Sequence, residues 1–399
     1  MRTVTWAAAA VLLAVVGSSC REDPTSSTAS AAGPALATAA APLTFWQVSA
    51  GTGHSCGITI ENTAYCWGAN FDGELGDGSA TRHPTPHAVA GGLRFRNISA
   101  DEGEGHTCGV TLEYRAYCWG LNQFGELGDG TGSNRSLVPV AVAGGLRFRQ
   151  VEAGVFFTCG VTYPDNRAYC WGDNLYGKLG DGSNMSAFSP VAVAGGLQFR
   201  QVTLGEWHAC GITLDNRAYC WGNNRDGQIG DSSNAASRSV ATAVAGGHRF
   251  RQIDAGNFHT CAVTTTDRAF CWGSGGYGQI GDGRTYRRFW PRRVAGRISF
   301  ERVTAGASQS CGETTENQAY CWGQNFSGQL GDGTTTDRLM PVAVTGGLRF
   351  RQLSTAYSET CGKTSTGEAY CWGGNAFGQL GDGTTTNRTR PTPVVGPGE

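Results

Sequence analysis

The sequence predicts an all-β fold, a seven-bladed β-propeller with four antiparallel strands in each blade. First, the pentapeptide Ala-Tyr-Cys-Trp-Gly, or its Phe variant, recurs seven times between Ala64 and Gly373 at intervals of 50 to 52 residues. Second, each repeat holds four short segments of β-branched or alternating character, separated by turns rich in Gly, Asn and Asp. A period near 50 residues with four strands is typical of a propeller blade, and seven blades close into a ring.

The segment 1–20 resembles the signal peptide of a bacterial lipoprotein. After a charged start, Ala7 to Val16 is an unbroken apolar run of ten residues, too short to span a bilayer but suited to a signal-peptide core. Small residues then end in Cys20, although Gly17 stands where lipoprotein signals usually have Leu. We therefore expect export, with a lipid on Cys20 that anchors the protein to a membrane. Ordinary secretory cleavage nearby is the alternative.

The rest of the chain divides into a tether and one repeat array. Residues 21–42 are mostly Ala, Ser, Thr and Pro, a composition that favours a flexible tether. Residues 43–399 hold the seven repeats. The last repeat ends one strand short, at Pro391–Val395, and the array begins with Phe45–Val48, the strand that normally comes next. We expect this first strand to complete the last blade and to close the ring.

The repeat resembles that of the regulator of chromosome condensation family. The shared pattern is Ala-Gly-x-x-His-Ser/Thr-Cys, then Tyr-Cys-Trp-Gly-x-Asn-x-x-Gly-Gln-Leu-Gly-Asp-Gly, and its seven copies cover about nine-tenths of the chain. The resemblance implies a seven-bladed propeller. The family's functions include nucleotide exchange on a small GTPase, inhibition of β-lactamase by a secreted member, and ultraviolet-B sensing in plants. Fold alone therefore does not decide function.

Fourteen of the 15 cysteines fall into seven pairs, six of them ten residues apart and one eleven. A hairpin that turns at Leu214 to Asn216 places Cys210 directly opposite Cys220, within disulfide range. A metal site is the alternative, but no Cys-x-x-Cys occurs and each repeat offers only two thiols. The predicted disulfides are Cys56–Cys66, Cys108–Cys118, Cys159–Cys170, Cys210–Cys220, Cys261–Cys271, Cys311–Cys321 and Cys361–Cys371. They imply an oxidising, extracytoplasmic compartment.

Residues found in nearly every repeat are interpreted as framework. They include the tryptophan after the second cysteine and the Asp of Gly-Asp-Gly, which gives too few carboxylates per repeat for calcium. A histidine position, replaced by Phe157, Gln309 and Glu359 in three repeats, suits packing or hydrogen bonding better than metal binding or catalysis. No cofactor or metal is expected.

An arginine recurs after the Phe that opens each repeat, and two interpretations are open. It forms either a ring of cations for an anionic partner or a repeated ion pair on a solvated strand face, and we favour the second. The arginines are Arg96, Arg149, Arg200, Arg251 and Arg351.

Two loops in each repeat vary in sequence and are rich in aromatic residues. Because the two cysteine strands form a hairpin, both loops leave its same end, and all of them crowd one face of the disc. The predicted partner-binding residues are Phe156, Phe157, Trp207, Phe258, Tyr357, Glu104 and Glu206 in the first loop, and Phe71, Phe124, Tyr176, Tyr277, Phe326 and Phe377 in the second. Rigid aromatics among polar groups suit protein recognition. Packing of the second-loop aromatics between blades is the alternative.

These features favour a binding scaffold over an enzyme. The sequence contains no recognisable catalytic or phosphate-binding motif. Lys and Arg number 31 against 32 Asp and Glu, so a nucleic-acid partner is not expected. A protein partner is the main hypothesis. A glycan binder or carbohydrate-active enzyme at the cell surface is the alternative, because aromatic platforms lie beside Asn and Asp. Export and the absence of a basic tail disfavour nucleotide exchange.

Overall fold

The computed structural model describes residues 43–397 except Glu102 and Glu104. Seven four-stranded antiparallel sheets follow one another along the chain, each a simple meander of consecutive strands. The predicted signal peptide, tether and lipid site at Cys20, and the predicted contact residue Glu104, lie outside the described residues. The predicted fold class, an all-β seven-bladed propeller, is confirmed.

The four strands of each blade occupy equivalent positions in all seven repeats. The first strands, which contact one another around the axis, are Phe45–Ala50, Phe95–Ala100, Phe148–Gly154, Phe199–Leu204, Phe250–Ala255, Phe300–Ala305 and Phe350–Thr355. The second strands are His54–Thr59, His106–Thr111, Phe157–Thr162, His208–Thr213, His259–Thr264, Gln309–Thr314 and Glu359–Thr364. The third strands are Ala64–Gly68, Ala116–Leu121, Ala168–Gly172, Ala218–Asn223, Ala269–Gly273, Ala319–Gly323 and Ala369–Gly373.

The fourth strands form the outer rim and are the most exposed. They are His83–Ala88, Arg135–Ala141, Ala187–Ala192, Ser237–Ala243, Arg288–Arg293, Arg338–Ala343 and Arg388–Pro393. Two single 3-10 turns, Ala143–Gly145 and Leu175–Gly177, complete the regular structure of the described part.

The hydrophobic core lies between blades rather than within them. One cluster joins Cys56, Cys66 and Leu75 of the first blade to Phe95 and Trp119 of the second. Equivalent clusters join every other neighbouring pair. A single sheet cannot bury both of its faces, so each blade is stabilised by its two neighbours.

The repeated tryptophans fasten each blade to the one before it. All seven indoles are buried, and each Nε1–H donates to a backbone carbonyl of the preceding blade at 2.8–3.0 Å. Trp272, for example, donates to the carbonyl of Gln228 at 2.9 Å. Gly230, two residues after Gln228, has a φ of +72° and packs against the Trp272 indole. The repeated glycine and tryptophan are therefore two halves of one contact.

Glutamine side chains join the first strands around the central channel. Gln252 donates from Nε2 to the carbonyl of Val303 at 2.8 Å and accepts the Val303 N–H at 3.0 Å. Gln47, Gln150, Gln201 and Gln352 make the same two-way contact with the next blade. In the sixth blade Arg302 replaces the glutamine, and the Glu313 carboxylate accepts the N–H of Leu353 instead.

The predicted closure of the ring by strand exchange is wrong. Phe45–Ala50 pairs with His54–Thr59 inside the first blade, and Phe350–Pro393 forms a complete last blade. The two blades are joined by the same contacts as every other pair. The Phe45 N–H donates to the Gly367 carbonyl at 2.8 Å, as the Phe95 N–H donates to that of Asn62. Because each repeat already holds four strands, no strand has to be shared.

All seven predicted disulfides are present. In every blade the two cysteines are directly opposite across the second and third strands, with Cα–Cα distances of 4.0–4.1 Å. Each is buried against the next blade. The predicted hairpin at Cys210–Cys220 has the expected register, because the Thr213 N–H bonds to the Arg217 carbonyl at 2.9 Å. Seven buried disulfides indicate an oxidising, extracytoplasmic environment.

Candidate functional site: the aromatic loop face

Both variable loops of every blade lie on one face of the disc, as predicted. In each blade, the residue that ends the first loop accepts a backbone hydrogen bond from the residue that begins the second. The Trp207 carbonyl, for instance, accepts the N–H of Asn223 at 2.8 Å. The two loops therefore form one paired unit per blade, held by the cysteine hairpin beneath it.

Aromatic side chains of blades two to four form two contacting pairs on this face. Phe124 contacts Phe156 edge to face, with ring centroids 5.2 Å apart. Tyr176 contacts Trp207 in the same way at 5.9 Å. In both pairs the second loop of one blade meets the first loop of the next. We name Phe124, Phe156, Tyr176 and Trp207 the aromatic patch.

A buried lysine lies near one member of each pair of the patch. The Lys178 ammonium is 4.7 Å from the ring centroid of Phe157, 5.0 Å from that of Trp207 and 6.0 Å from that of Phe156. It also donates to the Val155 carbonyl at 2.9 Å and pairs with Asp173 at 2.9 Å. Burial lowers the pKa of Lys178, and Asp173 opposes that shift. The carboxylate and the aromatic faces together stabilise a cation that water does not reach.

Lys178 replaces a carboxylate or amide that shapes the second loop in the other blades. Glu74 accepts the N–H groups of Phe71 and Asp72, and Gln379 accepts that of Phe377. A lysine cannot accept a hydrogen bond, and the loop of blade three instead forms a 3-10 turn with Tyr176 at a φ of 66°. Lys178 was not identified as a site residue from the sequence. The signal was present, because the other six repeats have Glu or Gln at this position.

The remaining predicted aromatics are spread around the same face. Phe71, Tyr277, Phe326, Tyr357 and Phe377 are 37% to 59% exposed. Phe71 and Phe377 contact each other between blades one and seven, with ring centroids 5.6 Å apart. Partner contact and packing between blades are the two alternatives for the second-loop aromatics. Phe71 and Phe377 fit both, because they contact each other across two blades and keep exposed surface. Phe258 and Glu206 are half-buried.

The prediction that Phe157 contacts a partner is not supported by its position. Phe157 is completely buried, because it begins the second strand at the position that histidine occupies in other blades. Asp101, in the expanded first loop of blade two, is also buried, and its Oδ2 is 3.4 Å from His106 Nδ1. Neither side chain is part of the exposed surface.

The repeated histidines join neighbouring blades, in agreement with their interpretation as framework. The Nε2 atoms of His54, His106, His208 and His259 each lie 2.8–2.9 Å from a Thr or Ser hydroxyl of the next blade. Burial lowers the pKa of His54 to about 4, and of His208 and His259 to about 3. The imidazoles of His54, His208 and His259 therefore stay neutral at physiological pH.

The repeated arginines surround the channel mouth on the face opposite the loops. Arg149, Arg200 and Arg251 each donate to the carbonyl of the Phe that opens the next blade, at 2.6–3.0 Å. Arg251 also pairs with Asp267 and Glu301. With Arg302 these arginines line a cavity of about 480 Å³, and a neighbouring cavity of about 410 Å³ is lined by Arg96, Arg351 and Lys363. The arginines therefore join blades and also make this mouth cationic, so neither sequence interpretation holds alone.

The channel interior carries buried carboxyl groups. Glu152, Asp254 and Glu313 line a cavity of about 250 Å³. Desolvation raises the pKa of Glu152 and of Glu313 to about 7, and also raises that of Asp254. Hydrogen bonds oppose the shift, including those from Ser99 to Glu152 and from Thr203 to Asp254.

Comparison with protein-family models matches two descriptions to this chain. Residues 16–299 match the RCC1-like domain, and residues 316–361 and 366–399 match the regulator of chromosome condensation (RCC1) repeat. Across residues 43–101, 103 and 105–397, no helix is long and apolar enough to cross a membrane.

Two sequence relatives have known activities as whole proteins. The chain is 28% identical over 255 residues to the ultraviolet-B receptor UVR8 of Arabidopsis thaliana, covering 62% of this chain and 57% of the receptor. It is 29% identical over 247 residues to the human E3 ubiquitin-protein ligase HERC2, covering 60% of this chain but 5% of the ligase. The chain therefore spans less than two thirds of either relative.

Solved structures support the same fold. Human WBSCR16 superposes with a TM-score of 0.76 at 22% identity, covering 84% of this chain and 96% of that one. Prp20p of Saccharomyces cerevisiae, a protein that binds Gsp1p and histones, superposes with a TM-score of 0.73 at 19% identity. The superposition covers 84% of this chain and 87% of Prp20p. At these identities the likeness shows the fold alone.

Proposed function

Because this chain belongs to the RCC1-like domain family of β-propellers, we propose that it is a scaffold that binds a protein partner through the aromatic patch. Two aromatic pairs that join three neighbouring blades on the loop face support this proposal most directly, with Phe156 and Trp207 at a position where four other blades have Gly or Ser. Relatives with the same fold bind proteins, as Prp20p binds Gsp1p and histones.

The geometry of the patch supports recognition rather than packing alone. Phe156 has a φ of 62°, at a position where blades one and two have Gly53 and Gly105. A bulky residue in this conformation costs on the order of 1 kcal/mol, and such strain concentrates at functional sites. Rigid aromatic rings with few rotatable bonds lose little entropy on binding. The patch therefore has the character of a preorganised contact surface.

The polar surroundings of the patch suit a protein partner. Arg225 lies over the Tyr176 ring at 5.2 Å, and Glu206 adjoins Trp207 in the first loop of blade four. Aromatic anchors with a polar rim are the usual composition of interaction hot spots. The same aromatics beside Asn and Asp would also stack on sugar rings, so glycan binding is retained as an outcome of the test.

The test is capture of the partner from an extract of the producing cells. The variant Phe156→Ala, Tyr176→Ala, Trp207→Ala should lose capture at least tenfold, because truncation of central aromatics removes most of an interface's free energy. The matched control, Tyr277→Ala with Phe326→Ala, removes exposed aromatics of the same face outside the patch and should retain capture. Equal loss in both variants, or none in the first, would reject the patch. A signal for the unmodified chain on a glycan array, with no protein captured, would favour the glycan alternative.

We further propose export and lipid anchoring, with segment 1–20 as signal peptide, Cys20 as the lipid site and 21–42 as tether. Seven disulfides require an oxidising compartment, which supports export. The apolar run and the small residues before Cys20 support the anchor. Radiolabelled palmitate should be incorporated by the unmodified chain and not by Cys20→Ala. Equal labelling of both would reject Cys20 as the site.

A further inference from the structure

We propose that Asp77, His83 and His87, at the rim of blade one, form a binding site for a divalent transition-metal ion of the zinc class. One nitrogen from each imidazole and one carboxylate oxygen lie within 4.8 Å of one another. Two imidazoles and one carboxylate are a ligand set that Zn²⁺ uses in proteins, with water in the fourth position. The His83 side chain is 22% exposed and that of Asp77 10%, and His87 is half-buried, so the cluster borders solvent from which an ion can enter.

His83 occupies a strand position at which four other blades have arginine. His83 is opposite Gly68 in the fourth strand, and its Nε2 is 3.1 Å from Asp77 Oδ2. At the same register position blades four to seven have arginines that pair with the equivalent Asp at 2.5–2.7 Å: Arg238, Arg288, Arg338 and Arg388. A guanidinium stays charged and cannot ligate a metal, whereas a neutral imidazole can. Blade one thus exchanges a fixed cation for a ligand.

His87 also departs from the repeat in blade one. His87 is opposite Cys66, where blades two, three and six have Val140, Val191 and Val342. Its ring stacks on that of His83, with centroids 3.5 Å apart. His87 therefore places a second imidazole beside that of His83.

The strand geometry explains how the two histidines meet. In a regular strand, residues four apart are separated by about 13 Å. The pairing of the third and fourth strands is irregular between Cys66 and Gly68, and the segment between the histidines contains Pro84 and Pro86. This irregularity brings both rings to one point at the edge of the sheet. A fourth strand without a further partner strand has room for such a bend.

Asp77 is held in place by the framework of its turn. Its Oδ1 accepts the Ser79 N–H at 2.8 Å and Asn70 Nδ2 at 3.3 Å. Its Oδ2 faces His83. Contacts of this kind orient a carboxylate ligand before the metal arrives.

Binding requires a small movement of the rings. Ligand atoms around a tetrahedral Zn²⁺ lie about 3.3 Å apart, given Zn–N distances of about 2.0–2.1 Å. The present separations of up to 4.8 Å must therefore shorten. Rotation of the two imidazoles about their side-chain bonds can provide this, since both are partly exposed.

The test is calorimetric titration of the mature, chelator-treated protein with ZnCl₂. We expect one saturable Zn²⁺ per chain. His83→Arg restores the residue of blades four to seven, and His87→Val restores that of blades two, three and six, so both should fold normally. Each should lower the Zn²⁺ affinity at least tenfold. The control His248→Gln changes a histidine in the connection that precedes blade five and should bind Zn²⁺ as the unmodified protein does.

A second readout identifies the ligands directly. Co²⁺ in place of Zn²⁺ should give visible d–d absorption of a nitrogen- and oxygen-ligated site, and His83→Arg should abolish it. Circular dichroism confirms that each variant is folded. The absence of saturable binding, or unchanged affinity in both His83→Arg and His87→Val, would overturn the proposal.

Discussion

At the residue scale, the glycine of each Gly-Asp turn determines how closely neighbouring blades approach. A Cβ added to Gly230 would lie 2.6 Å from Trp272 Nε1, a distance that real Cβ atoms do not adopt. The indole could not retreat without losing its hydrogen bond to the Gln228 carbonyl. The recurrence of glycine before the Asp of this turn is therefore explained by the contact with the Trp of the next blade, and not by the turn alone.

We predict that Gly230→Ala destabilises the propeller by about 1–3 kcal/mol through overpacking. Gly247→Ala is the matched control, since Gly247 also has a positive φ, of 63°, but has open space around it. The difference between the two variants in urea unfolding isolates the clash from the backbone strain. Equal destabilisation would show that the indole contact does not matter.

Buried carboxyl groups should make stability fall as pH rises. Burial raises the pKa of Glu313 and of Glu359 to about 7. An acid whose pKa is higher in the folded state binds its proton more tightly there, so stability is greatest at low pH and is lost as the pH passes from the unfolded value to about 7. We expect each group to lower the unfolding free energy by about 2 kcal/mol between pH 5 and 8.

Glu313→Gln and Glu359→Gln test this pH dependence. Neither variant titrates at these positions. The amide carbonyl of Glu313→Gln keeps an acceptor for the Leu353 N–H, whereas Glu359→Gln keeps one for only one of the two backbone N–H groups, of Gly53 and Ser358, that Glu359 accepts. Each should match the unmodified protein at pH 5 and exceed its melting temperature at pH 8. Glu61→Gln, at an exposed turn position, should leave the pH profile unchanged. A profile that both buried substitutions leave unaltered would contradict the assignment.

At the scale of elements, the disulfide hairpin is the unit that presents the loops. Each disulfide joins the second and third strands of a blade, and both variable loops leave the same end of that hairpin. The cross-link therefore fixes the base of every loop pair on the binding face. Loop sequences can then vary while their anchor points remain constant.

We predict that Cys210→Ala with Cys220→Ala lowers the unfolding free energy by about 2.5–3 kcal/mol, the value expected for a loop of this size. Chemical denaturation measures this difference. In the single variant Cys210→Ala, alkylation of the denatured, unreduced protein followed by mass spectrometry should find a free thiol at Cys220. Labelling at another blade's cysteine would show that pairing is not confined to one blade.

At the scale of the whole molecule, the junction of blades seven and one reproduces an ordinary connection. Six residues, 89–94, link the fourth strand of blade one to the first strand of blade two. Residues 394–397 and 43–44 are also six and make the same hydrogen bonds. The Val394 N–H donates to Ala369 as the Val89 N–H donates to Ala64, and the Val395 N–H donates to Gly381 as the Ala90 N–H donates to Gly76.

We predict that a circular permutant of the propeller folds when Pro397 is joined directly to Leu43 and new termini are placed between Gly91 and Gly92. Both glycines are exposed, and a Cβ added at either position would meet no atom within 4 Å. Circular dichroism and urea unfolding should give a native fold with stability close to that of the unpermuted propeller. Failure to fold would show that closure depends on more than these contacts.

The sequence by itself determined the number of blades, the four strands of each and the seven disulfides. These features depend on local periodicity and on two cysteines that face each other across a short hairpin. The sequence of a single repeat contains both kinds of information. It also placed both variable loops on one face, because the hairpin register requires it.

Only the tertiary structure decided how blades meet. The buried position of Phe157, the role of Lys178 beneath the aromatic patch and the closure of the ring without strand exchange all depend on the neighbouring blade. Contacts between repeats join residues about 50 positions apart. The sequence of one repeat therefore does not show which side chain of the next blade it will contact. The Asp77–His83–His87 cluster, and Phe156 and Trp207 of the aromatic patch, are departures from the repeat. Their geometry follows from where the folded blades place them.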